Sequence, residues 1–239
     1  MTANLCLGTV QFGTNYGVTN KFGKVTPNAV ENILSKAVEG GISFLDTAQG
    51  YGDAEEILGK FSNYSHKLKI INKLQIKKKG NWSSIDLNDW ELSLSASLKK
   101  LKLKKIDTLL VHQFEDLCRP DSEILLDWLC ELKNKNIINR IGVSIYDVDN
   151  IAKISLNKLD VIQLPLSIYD QRFLKNNTIK KLVSKGISVH VRSIFLQGLI
   201  LQNYKKWPSF LSSKFKSHHK FFLEELNRLD INALEASIS

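Results

Sequence analysis

Cysteine is scarce: Cys6, Cys118 and Cys130 are odd in number and form no CxxC pair. That excludes a disulfide framework and a paired-thiolate zinc site, and it predicts reduced, mostly buried thiols in a reducing compartment. No metal site is expected. The 4 prolines and 13 glycines are scattered, so no Pro- or Gly-rich linker divides the chain and residues 1–239 read as a single domain. No apolar run approaches the roughly 18 residues of a membrane helix. The start, MTANLCLGTVQFG, lacks the basic stretch and apolar core of a secretory signal, which makes a cytoplasmic protein the expectation. Neither GxGxxG nor GxxxxGK[ST] occurs, so no glycine-rich phosphate turn of the usual kinds is present.

Positive charge is plentiful. Thirty-three Lys and Arg stand against 24 Asp and Glu, a formal net charge of +9. It arrives in three runs, Lys67 to Lys79, Lys99 to Lys105 and Lys205 to Lys220. The middle run closes a predicted helix, where cations suit the negative end of the dipole. Aromatic residues are interleaved only around Tyr204, Trp207, Phe210 and Phe215. A nucleic-acid-binding protein would rest on charge alone, so no nucleic-acid and no membrane partner is expected.

Short apolar runs alternate with longer helical patterns. The predicted strands are LCLGTVQ from Leu5, ISFLD from Ile42, LKIINKL from Leu68, IDTLLVH from Ile106, INRIGVS from Ile138, DVIQLPL from Asp160 and ISVHVRS from Ile187. Between them lie VENILSKAVEG behind Thr26 and Pro27, DAEEILGKF, LNDWELSLSASLKKLKL, SEILLDWLCELKNKN and TIKKLVSKG. Gly40 and Gly186 stand where two of these helices should stop. Buried, non-alternating strands joined by helices of this length imply parallel β-α units with right-handed crossovers. Seven such strands are one short of a closed (β/α)8 barrel of the TIM type. An open doubly wound sheet would fit the count too, but it would be expected to carry a glycine-rich turn.

In a barrel the active site collects at the C-terminal strand ends. Read in order, those ends are Gln11, Asp46, Lys73, His112, Ser144, Gln163 and Arg192 with Ser193. Polar groups there are costly to bury singly, which suggests a mutually compensating network. Lys73 lies within an apolar run, and Asp46 is its obvious partner.

The segment FLDTAQGYGDAEEILGK, residues 44–60, resembles the signature of the aldo-keto reductases, D-T-A-x-x-Y-G-x-(A/S)-E-x-x-L-G. LGTVQFG resembles that family's first strand, INKL its lysine-bearing third and IDTLLVHQ the fourth ending in His. IINRIGVSIYD, VIQLPLSIYDQR and VHVRSIFLQGLI follow as fifth, sixth and seventh. The resemblance implies an NAD(P)H-dependent oxidoreductase that reduces an aldehyde, ketone or sugar carbonyl by hydride transfer, or runs the reverse. It makes Tyr51 the general acid, Lys73 its electrostatic partner, Asp46 the holder of Lys73 and His112 the oxyanion and orientation residue. Elementary chemistry agrees. A phenol of pKa about 10 is a poor donor at neutral pH, and a neighbouring ammonium lowers its pKa. His66, His190, His218 and His219 match no family position. His190 reads as strand packing and the other three as surface.

For the cofactor, NADP with NAD as the alternative, the resemblance implies that Ser144 and Gln163 bond the carboxamide. Thr9 and Val10 would line the floor near the nicotinamide. Arg192 stands where the family often carries an aromatic that stacks on the nicotinamide; a planar guanidinium can also stack. Ser193, Phe195, Gln197 and Gly198 would form the loop beside the pyrophosphate. Ile145, where many relatives carry an amide, removes one carboxamide bond.

The chain stops in LDINALEASIS, which resembles the middle of the family's helix after the seventh strand. The expectation is therefore a C-terminally truncated barrel lacking the eighth strand and last helix, with two unpaired strand edges. Self-association across the open edges, or a strand from another polypeptide, would repair the gap. The alternative to catalysis is a non-catalytic remnant or a regulatory partner of a full-length reductase.

Overall fold

A computed structural model describes residues 4–76 and 80–238. The end of the first lysine run, Lys77 to Lys79, lies outside the described residues, as do residues 1–3 and Ser239. The strands are β1 Cys6–Gly8, β2 Phe44–Asp46, β3 Lys69–Leu74, β4 Ile106–Val111, β5 Ile138–Ser144, β6 Val161–Pro165 and β7 Ser188–Arg192. The helices, in chain order, are α1 Val10–Gly13, α2 Pro27–Glu39, α3 Ala54–Lys60, α4 Ser62–Ser65, α5 Asp86–Leu101, α6 Ser122–Asn134, α7 Thr178–Ser184, α8 Ser213–Arg228 and α9 Ala233–Ile238.

All seven strands are parallel and pair in sequence order, β1 to β7. The sheet is curled. Across its hollow the Phe44 ring on β2 comes to 6.2 Å from the His190 ring on β7. The amide of Gln163 on β6 reaches Asp46 on β2 at 2.6 Å. The architecture is an incomplete TIM-type α/β barrel, in which β1 and β7 have one strand neighbour each among the described residues. The inner strands β3 to β6 are buried on both faces, whereas β1 and β7 are largely open.

The larger core lies between the sheet's outer face and the helices. In α2 the buried residues Val30, Leu34 and Ala37 fall on one helical stripe, and in α5 Trp90, Leu94, Ser97 and Leu101 do the same. Inside the curl a smaller cluster of Ile71, Leu110 and Val161 packs with Phe44. At the N-terminal end of the hollow Arg140 pairs with Asp107 at 2.7 Å. Arg140 and Lys69 each lie 5.4 Å from the Phe44 ring centre.

Several expectations need correction. The first strand stops at Gly8: Phe12 N–H donates to Thr9 carbonyl and coils VQFG into α1, so Val10 and Gln11 are helical. The bounds of α2 are as expected, with Thr26 at its N-cap, Pro27 first in the helix and Gly40 at its C-cap, although Thr26 makes no side-chain cap bond and the left-handed residue is the next one, Gly41 (φ 76°). The thiols are not mostly buried: Cys6 and Cys118 are exposed and Cys130 is intermediate. Although Cys6 as a residue is exposed, burial around its thiol and then the charge of Asp46 push that thiol up to about 12. His219 is fully buried, not at the surface. It stacks on Trp207 at 4.4 Å and bonds Tyr169 Oη at 2.7 Å and Gln202 carbonyl at 2.8 Å.

Candidate active site

Parallel strands set Asp46, Lys73, Ser144, Gln163 and Arg192 at one rim of the curled sheet, with His112 following β4. Tyr51 arrives from the turn after β2, whose chain is closed by Tyr51 N–H donating to Ala48 carbonyl. Lys73 is 1% exposed, and its ammonium pairs with Asp46 Oδ1 and donates to Thr47 carbonyl at 3.0 Å. A buried ammonium needs such a partner, and the half-open carboxylate of Asp46 supplies it. Lys73 Nζ also lies 4.9 Å from the Tyr51 ring centre. The rings of Tyr51 and His112 meet edge-on, 6.1 Å between centres and 83° apart. Asp46, Tyr51, Lys73 and His112, from four successive parts of the chain, therefore converge on one small volume.

The electrostatics refine the expected chemistry. Burial raises the Tyr51 phenol, and this outweighs the downward pull of Lys73, so the net shift is upward. The phenol therefore keeps its proton at neutral pH. His112 is pushed down to about 4, first by burial and then by Lys73, with Arg192 adding to the effect. Its imidazole is neutral at pH 7, with one N–H to donate.

Outside the hollow a second layer holds Lys73, and sequence reasoning missed it. Lys73 N–H donates to Asn72 Oδ1 at 2.8 Å, and Asn72 Nδ2 donates to the buried Glu55 at 2.8 Å. Two polar side chains, Asn72 within an apolar strand and Glu55 in the first turn of α3, were the available signal. Missed too was the stack of Arg192 on Tyr146, with the guanidinium carbon 4.1 Å from the ring centre. Arg192 Nη2 also donates to Ile145 carbonyl at 3.0 Å.

Among the nucleotide-site expectations, Thr9 is buried and spends its hydroxyl on Asp46 carbonyl at 2.9 Å. Val10 is half-buried beside it. Ser144 and Gln163 are register partners on β5 and β6, both buried, and Gln163 Oε1 has no hydrogen-bond partner. After β7, Ser193, Leu196, Gln197 and Gly198 all have positive φ, 62°, 45°, 57° and 91°. Strain of this kind is held by its surroundings. Here Val18 N–H donates to Gln197 Oε1 at 3.1 Å and Thr19 Oγ1 donates to Gln197 carbonyl at 3.0 Å. A Cβ at Gly198 would run into the Thr19 hydroxyl. Phe195 is half-buried in the same turn.

Residues 4–236 match the model of the aldo/keto reductase family. The chain belongs to that family. Norsolorinic acid reductase stcV of Emericella nidulans is 32% identical over 127 residues, covering 46% of this chain and 32% of that protein. D-arabinose 1-dehydrogenase of Saccharomyces cerevisiae is 29% identical over 128 residues, covering 52% of this chain and 38% of that one. The matched stretch thus spans about a third of the length of these curated relatives. Two solved structures share the fold. One is a Bombyx mori aldo-keto reductase in complex with NADP, with a TM-score of 0.67, 19% identity and coverage of 96% of this chain and 73% of that one. The other is a glycerol dehydrogenase from Gluconobacter oxydans, with a TM-score of 0.68, 20% identity and coverage of 95% and 75%. Among the described residues no helix is long and apolar enough to cross a membrane, and no group of three or more His, Cys, Asp or Glu could hold a metal ion.

Proposed function

We propose that this aldo/keto reductase is a cytoplasmic NAD(P)H-dependent enzyme that reduces the carbonyl of an aldehyde, ketone or open-chain sugar. The observation that carries the reading is the convergence of Tyr51, Lys73, Asp46 and His112 on one volume. Tyr51 donates the proton at its Oη to the carbonyl oxygen as that oxygen gains charge. Lys73 stabilises the phenolate left behind, and Asp46 keeps the ammonium in place. Neutral His112 donates its one N–H to the developing oxyanion and orients the substrate. A bound reduced nicotinamide supplies the hydride, which no side chain can.

The residues present fit that cofactor. Gln163 Oε1, buried and unpartnered, suits a carboxamide N–H, and Ser144 lies beside it. Arg192, with Tyr146 on one face, has a second face for a flat ring. Ser193, Phe195, Gln197 and Gly198 form the strained turn read as the pyrophosphate loop. Thr9 has no proton to offer the ligand, since its hydroxyl donates to Asp46 carbonyl, and it packs the floor together with apolar Val10. NADP is the favoured cofactor, supported by the NADP complex of the Bombyx protein. Replacing Tyr51 with Phe removes turnover and leaves NADPH binding intact; undiminished turnover in that variant would sink the reading. A non-catalytic role draws its support from β1 and β7, which have one strand neighbour each among the described residues. Cofactor-dependent turnover by the purified chain dismisses it.

A further inference from the structure

The two carboxylate oxygens of Asp46 have different partners. Oδ1 pairs with Lys73, while Oδ2 accepts from Gln163 Nε2 at 2.6 Å across the hollow of the sheet. A carboxylate can only accept, so the nitrogen end of the Gln163 amide must face it. That turns Gln163 Oε1 away, into a buried place with no donor, on a residue 4% exposed. Buried acceptors without partners are destabilising, and the backbone holds this one there. Ile145 N–H donates to Gln163 carbonyl at 2.8 Å, and β6 is registered on both sides, Ser144 with Gln163 and Gln163 with His190.

The Lys73 ammonium has three hydrogens. One goes to Asp46 Oδ1 and one to Thr47 carbonyl, and these two bonds hold Nζ 4.9 Å from the centre of the Tyr51 ring. If the Asp46 carboxylate turns about its own axis, Lys73 Nζ follows it and leaves its place beside Tyr51. We propose that Gln163 is a positioning residue for the reaction: it fixes the rotation of the Asp46 carboxylate, hence the place of the Lys73 ammonium beside Tyr51. The same amide offers its carbonyl oxygen to a donor on the ligand. One side chain therefore links the ligand's seat to the acid–base group. The proposal rests on the oxidoreductase reading for the reaction it serves and for the identity of that donor, a nicotinamide carboxamide N–H; the hold of Gln163 on Asp46 and Lys73 is independent of it.

The test is the optical titration of Tyr51, taken as the phenolate absorbance that a Tyr51→Phe change removes in each background, with no ligand added. Gln163→Met keeps the length of the side chain and loses its donor; Gln163→Leu is the second variant, should the first not fold. Either raises the Tyr51 midpoint by about one pH unit, because a loosened ammonium stabilises the phenolate less. Val161→Ala, on the same strand and inside the same hollow, loosens packing without touching Asp46 and leaves the midpoint in place. An unmoved midpoint in the Gln163 variants, or an equal rise in Val161→Ala, overturns the positioning role. A second arm compares NADPH with its acetylpyridine analogue, which has no carboxamide N–H. Wild type binds NADPH about tenfold tighter, the worth of one hydrogen bond, and Gln163→Met loses that preference. Equal binding of the two by wild type overturns the assignment of the donor. If neither nucleotide binds while the midpoint shifts, the oxidoreductase reading falls and the positioning role stands. Binding without the shift gives the reverse.

Discussion

Replacing His190 with Phe should flatten the acid side of the protein's stability profile. His190 sits in the hollow, against Phe44 on β2 and near Arg140 on β5, Asp107 on β4, Asp46 on β2 and Lys73 on β3. Burial first, then the positive charge of Arg140, push its pKa down to about 4, while the carboxylates pull the other way without winning. A folded-state value below the unfolded value of about 6.5 means that the unfolded chain takes up the proton first. Stability is therefore full above about pH 6.5 and falls as the pH drops from there toward 4. Between pH 7 and pH 5 the loss comes to about 2 kcal/mol for this one group, a substantial part of a domain's usual 5–15 kcal/mol or so. Phe retains the packing against Phe44 and removes the proton. Urea unfolding of wild type and His190→Phe at pH 7 and pH 5 measures the difference directly. Wild type should lose about 2 kcal/mol more than the variant across that interval. An equal loss in both proteins would refute the placement of a neutral imidazole in the hollow.

Lys73→Met leaves the Asp46 carboxylate beside an apolar side chain and should cost about 3–5 kcal/mol in urea unfolding, with Asp46→Asn in the same chain recovering part of it. Purely additive losses in the double variant would contradict the pairing. Gly59→Ala in α3 drives a methyl group into the backbone carbonyl of Lys100 in α5 and should destabilise by about 1–3 kcal/mol, read as a lower melting temperature. An unchanged melt would show that the two helices are not in close contact. Tyr169→Phe takes the donor from His219 Nδ1, whose other nitrogen is committed to Gln202 carbonyl, and should cost about 1–3 kcal/mol in the same assay.

The order and direction of the strands were legible because β3 to β6 are buried on both faces and read as continuous apolar runs. β5 lies where INRIGVS places it, residue for residue. The edges were harder. LCLGTVQ has strand composition throughout, yet VQFG turns helical once Thr9 is tied to Asp46. Motif spacing brought Asp46 and Tyr51 to notice together, and Lys73 stood out as a cation in an apolar strand. The bond from Gln163 to Asp46 spans 117 residues of sequence and exists only because the sheet curls, so no local pattern announces it. His219 was hidden for a similar reason: its burial is made by Trp207 and Phe222 stacking on it. The direction of the Tyr51 shift also escaped, because the effect of burial depends on the finished fold and the lysine's pull alone points the other way.

Under the proposed function this chain binds a nicotinamide nucleotide at the rim where Tyr51, Lys73, Asp46 and His112 meet. The direct measurement is titration of the folded 239-residue protein with NADPH and then NADH, following nicotinamide fluorescence. Saturable binding of NADPH, weakened by a substitution of Arg192, is the expected result. No saturable change with either nucleotide, in a sample whose melting curve shows a folded protein, would contradict it.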